Sequence, residues 1–103
     1  MESDYSASND IWGKVFRKND NIVSRKIGDE IFLVPVKGTL ADMQKIFTLN
    51  PVAEYIWKEL DGKKLAEICN GVISTFEVEK EQAAADIRDF ITELLEANLI
   101  GEN

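Results

Sequence analysis

Asp86 and Asp89 stand three residues apart in a stretch that reads as helix, so their carboxylates share one face. Two carboxylates at that spacing could divide acid and base work between them. The rest of the chain gives such a pair nothing to work with. There is no histidine, which removes His general bases, Ser-His triads and His metal ligands. The one cysteine, Cys69, excludes an internal disulfide and falls on an apolar helical stripe, the setting of a buried, inert thiol. No Asp-x-Asp-x-Asp-Gly loop, Gly-x-Gly-x-x-Gly turn or P-loop is present. The residues supply no nucleophile with a base, no metal cage and no cofactor loop, so no catalysis, metal or cofactor is expected, although the carboxylates alone leave a metal site open. Asp86 and Asp89 read first as a solvated helix face.

The chain of 103 residues is long enough for one domain with a single core. Its 45% hydrophobic and 30% charged residues match an ordinary soluble globular protein. The longest apolar run, from Ile31 to Val36, is far too short to cross a bilayer. The first residues contain no apolar signal-peptide core, so a cytoplasmic location is expected. A formal charge of −7 repels polyphosphate and attracts segments that carry Lys or Arg.

Residues 1–21 read as a flexible N-terminal arm and residues 22–103 as the domain. Within the arm, Ile11, Trp12, Val15 and Phe16 form a short amphipathic stretch that either packs on its own domain or docks on a partner or a second copy. One expectation is that the arm covers the domain's own binding groove, or a neighbour's groove, when no ligand is present. Two strands follow, 22–27 and 30–36, joined by the turn pair Gly28-Asp29. Pro35 places the second near its end or at an edge. Residues 37–44 read as a loop and 45–49 as a third strand.

That third strand turns abruptly into a helix. Asn50 is a favoured N-cap and Pro51 suits the first helical position. Val52, Ala53, Ile56, Trp57 and Leu60 recur at helical spacing, and Gly62 closes the segment. A second helix spans about 64–75 on the stripe Leu65, Ile68, Cys69, Val72, Ile73, Phe76, which keeps phase across Asn70-Gly71. It has no Ser or Thr cap, which leaves its first turn open to fraying. A third helix spans about 79–97, with Ala83, Ala84, Ile87, Phe90, Ile91, Leu94 and Leu95 on its apolar arc. Asn98 takes the left-handed closing position, and Leu99 and Ile100 fold back onto the core or the sheet. The expected fold is α+β and winged helix-turn-helix-like, a three-stranded antiparallel sheet followed by three helices.

This topology admits a winged-helix DNA-binding regulator as the alternative function. The charges oppose it: from Glu77 to Glu96 seven acids face two bases, a net of −5 where a reading helix needs Arg, Lys, Asn or Gln. A peptide-binding module fits better. A small sheet with an edge strand accepts an extended peptide as one more strand, with side-chain pockets supplying specificity.

From residue 22 to residue 100 the chain resembles the PqqD family, the stand-alone form of the RiPP recognition element. The resemblance is carried by Ser24-Arg25, by Phe32-Leu33-Val34-Pro35, and by Leu49-Asn50 with Ala53, Ile56-Trp57 and Leu60-Asp61-Gly62. It continues through Ile68 with Phe76 and Val78, then Asp86-Ile87, Phe90-Ile91, Leu94 and Leu99-Ile100. The resemblance implies a peptide chaperone that binds the leader of a ribosomally made precursor and presents it to a modifying enzyme. In pyrroloquinoline quinone (PQQ) biosynthesis that enzyme is a radical S-adenosylmethionine (SAM) protein. It further implies that the leader adds antiparallel to the third strand, at Lys45, Ile46, Phe47, Thr48 and Leu49, beside a wall of Ala83, Asp86, Ile87, Phe90 and Ile91. The Phe90 flank, which also carries Asp86, is expected to face the groove. Leu49, Ile87, Ile91, Leu94 and Trp57 have a plainer reading as core. No nucleic acid or membrane partner is expected, and the chain is expected to be a monomer or a weak homodimer.

Overall fold

Gly28 sets the first hairpin. Its φ of +64° suits the first central position of a two-residue turn of type II′, which glycine fills without steric cost. A computed structural model describes residues 10–36 and 47–102. The order is a 3-10 turn (Asp10–Gly13), β1 (Phe16–Lys18), β2 (Ile22–Ile27), β3 (Glu30–Pro35), β4 (Phe47–Leu49), α1 (Pro51–Glu59), α2 (Leu65–Phe76), α3 (Lys80–Glu96) and β5 (Ile100–Glu102). β2, β3 and β4 form an antiparallel sheet in that order, and three helices follow, so the fold is α+β as expected. The predicted loop and the start of the third strand, Lys45 and Ile46 included, lie outside the described residues.

A second sheet was not expected. β1 pairs antiparallel with β5, Phe16 opposite Glu102 and Lys18 opposite Ile100. The expectation of a flexible arm up to residue 21 is therefore corrected from Asp10 onward; residues 1–9 lie outside the described residues. Phe16 is 2% exposed and belongs to the main core, with Ile11 and Trp12 packed against it. Of the two readings of this stretch, packing on its own domain is the one seen. The physical reason for the miss is scale: a strand of three residues shows too little alternation to read, and its partner lies more than 80 residues away.

The segment also completes the start of α2. The Leu65 amide, which has no partner within the helix, donates to the Lys14 carbonyl at 3.0 Å. The Lys64 amide donates to the Glu67 carboxylate at 3.1 Å. The expected fraying is thus met by backbone from elsewhere in the chain rather than by a Ser or Thr cap. Asp61 fastens the same segment by accepting the Lys18 amide at 3.0 Å, and the Lys18 ammonium lies 5.5 Å over the Trp57 ring.

The helices bury one stripe each. Ile56, Trp57 and Leu60 come from α1 and its C-cap, Leu65, Ile68, Cys69 and Val72 from α2, and Ala83, Ile87, Ile91 and Leu94 from α3. They meet Leu33, Phe47 and Leu49 of the sheet in one cluster. Each large aliphatic side chain so enclosed contributes about 1.5–3 kcal/mol of transfer free energy. α3 ends as the sequence predicts: Asn98 has φ +62°, and the Leu99 and Asn98 amides donate back to the Leu94 and Leu95 carbonyls at 2.9 and 3.0 Å. Leu99 and Leu94 are both in the core, which fixes the exit of the chain toward β5.

Candidate functional site

β4 is the outer strand of its sheet, and among the described residues no strand pairs with its other edge. The direction of its backbone groups follows from the ladder. The Val36 amide donates to the Asn21 carbonyl at 2.7 Å, which sets the phase of β2 against β3. In that phase the pairs Val23–Val34, Arg25–Phe32 and Ile27–Glu30 exchange hydrogen bonds. Ile31 and Leu33 then turn their amides and carbonyls toward β4, where they face Leu49 and Phe47. Thr48, between those two, turns its own amide and carbonyl outward. Side chains alternate in the opposite sense: Phe47 and Leu49 point into the core at 5% and 4% exposure, and Thr48 is exposed.

Asn50 stops the strand at once. Its backbone is extended (φ −76°, ψ 175°), and its side-chain oxygen accepts the Ala53 amide at 2.8 Å. Pro51 occupies the first turn, so a single residue, Asn50, separates α1 from β4. The start of α1 therefore stands at the end of β4, and α3 lines a cleft with both. Between the three lies a cleft of about 380 Å³ lined by Phe47, Thr48, Asn50, Val52, Ala53, Ile56, Asp86, Asp89, Phe90 and Glu93.

Of the residues expected at the site, Phe47, Thr48, Asp86 and Phe90 line this cleft together, so the Phe90 flank of α3 is the one that faces it. Ala83, Ile87 and Ile91 are 2%, 0% and 1% exposed and lie in the core behind the wall, as Leu49 does behind the strand. Those four position the cleft rather than line it. Lys45 and Ile46 lie outside the described residues. Sequence reasoning missed Asn50, Val52, Ala53, Ile56, Asp89 and Glu93. A signal was present for some of them: Asp89 and Glu93 fall three and seven residues after Asp86, on the same helical face.

The expectation that the arm covers this groove does not fit residues 10–18. Trp12 lies against Arg88, whose guanidinium carbon is 5.7 Å from the ring centroid. Arg88 is on the opposite flank of α3 from Asp86 and Phe90 by helical phase.

The chemistry of the cleft is an apolar floor with an acidic rim. Asp86 accepts a hydrogen bond from the Gln82 side chain at 2.9 Å. Among the described residues no Lys or Arg forms an ion pair with Asp86 or Asp89. Also among the described residues, no three Asp, Glu or Cys side chains converge as a metal site would require. Cys69 is 7% exposed, and burial pushes its thiol above the ordinary range against a smaller opposing pull from Lys80.

A small α+β domain with an outer strand edge beside a helix-walled cleft has the geometry to accept an extended chain as one more strand. A family model described as coenzyme PQQ synthesis protein D (PqqD) matches residues 30–100. The chain belongs to the PqqD family. Among solved structures it is similar to TbiB1 in complex with the TbiA(beta) leader peptide, with 28% identity and a TM-score of 0.64, over 82% of this chain and 93% of that one. No curated protein matches it.

Proposed function

We propose that this chain is a RiPP recognition element: it binds the leader of a ribosomally made precursor peptide as an added strand along β4 and presents it to a modifying enzyme. The observation that carries the reading is the outward-facing Thr48 backbone beside a cleft walled by α3. Support comes from membership of the PqqD family and from likeness to a protein solved with a leader peptide. In this role the protein supplies no reacting group. The Thr48 amide and carbonyl hold the leader backbone, and the cleft sorts side chains. The modifying enzyme is of the radical SAM class or another that acts on ribosomal peptides, and the complex forms in the cytoplasm, where such precursors are made. Among the described residues no helix is long and apolar enough to cross a membrane.

The test is fluorescence anisotropy with a labelled leader from the precursor encoded beside this chain's gene. Thr48→Pro removes the outward amide donor and leaves the β3–β4 bonds in place. Loss of one hydrogen bond corresponds to about 0.5–1.5 kcal/mol, a weakening of roughly two- to twelvefold. Unchanged affinity with unchanged circular dichroism would remove β4 as the binding edge.

A further inference from the structure

We propose that the cleft selects a leader whose inward-facing positions combine an apolar side chain with a lysine or arginine two residues away. The inference rests on the peptide-binding reading above and adds the substrate chemistry. A strand added to β4 places alternate side chains on the same side as Phe47 and Leu49, about 6.6–6.8 Å apart. The floor they meet is apolar, built from Val52, Ala53 and Ile56 with Phe90 as one wall. One inward side chain therefore gains by being aliphatic or aromatic.

The next inward position meets a different surface. Asp86 and Asp89 both line the cleft, one helical turn apart on α3. The stem of a lysine or arginine is long enough for a side chain two positions from the apolar one to reach carboxylates of the same cleft. Asp86 is bound only to the neutral Gln82 amide, and Asp89 forms no ion pair among the described residues. Lysine or arginine suits the place: its aliphatic stem lies along Phe90 while its charged head reaches the carboxylates. An inward Asp or Glu meets like charge there. The formal charge of −7 attracts cations over longer range, so the test has to separate the rim from the whole molecule.

The probe is a display library of ten-residue random peptides selected against the full chain, with selected peptides mapped by backbone amide shifts. Enrichment of Lys or Arg two positions from an aliphatic or aromatic residue is the expected result. A selected peptide should bind Asp86→Asn/Asp89→Asn about fivefold more weakly, the scale of one or two partly exposed ion pairs. It should bind Asp20→Asn/Glu81→Gln, which removes the same charge away from the cleft, within about twofold of the parent chain. Cleft-bound peptides without cation enrichment, or equal weakening by both double variants, would overturn the charge rule and leave the peptide-binding reading standing. No selected peptide, or shifts away from β4 and α3, would overturn both.

Discussion

A methyl group on residue 71 would overlap the hydroxyl of Tyr55, whose ring Cζ also lies 3.0 Å from the same point. The Tyr55 ring is held edge-on to Phe76 with centroids 5.8 Å apart, so it has little room to give. In the sequence, Asn70-Gly71 resembles a turn that costs about 1 kcal/mol of helix propensity. The structure supplies the reason: α1 packs its Tyr55 against the backbone of α2 at that glycine. No local pattern around residue 71 could show this, because the partner is on another helix. Gly71→Ala is expected to destabilise the fold by about 1–3 kcal/mol in urea melts despite its better propensity. Tyr55→Phe in the same chain is expected to recover part of that loss. A stabilised Gly71→Ala would show that Tyr55 moves aside freely. At the same scale, Cys69 was readable from its stripe alone. Its burial and raised pKa predict that a thiol reagent at neutral pH reacts with the native chain far more slowly than with the urea-unfolded chain.

At the level of elements, legibility followed the length of the pattern. The β2–β3 hairpin, the Asn50-Pro51 start of α1 and the Asn98 end of α3 each carry a residue whose conformation is nearly forced, and each stands where the sequence places it. β1 carries no such residue. Its place is dictated by distant partners: Leu99 accepts the Asn19 amide at 2.9 Å, Asp61 accepts Lys18, and Lys14 receives the Leu65 amide. Phe16 anchors the arrangement in the core. Phe16→Ala is therefore expected to cost about 3–5 kcal/mol of global stability, measured by chemical denaturation. A change below about 0.5 kcal/mol would mean that the segment is a dispensable arm after all.

For the whole molecule, the sequence revealed the sign of the charge and the family resemblance, but only four of the ten residues that line the cleft. Phe47 and Thr48 of the strand and Asp86 and Phe90 of α3 were legible because the resemblance names them; Asp89 and Glu93 on the same face of α3 were not among them. The α1 contribution was not, because Val52, Ala53 and Ile56 read equally well as plain core stripe until the angle between α1 and α3 is known. The acidic balance of α3 also bears on the winged-helix alternative: a duplex of mixed sequence is expected to show no mobility shift with this protein at physiological salt.

The central claim is that β4 and the Phe90 flank of α3 hold a leader peptide. Titration of the labelled protein with the leader of the neighbouring precursor, followed by backbone amide NMR, tests it most directly. The account predicts that shifts concentrate at Phe47, Thr48 and Leu49 and along 83–93, with the hairpin tip at Gly28 and the β1–β5 sheet little changed. Shifts centred on β1, β5 or the hairpin tip, or none at saturating leader, would contradict it.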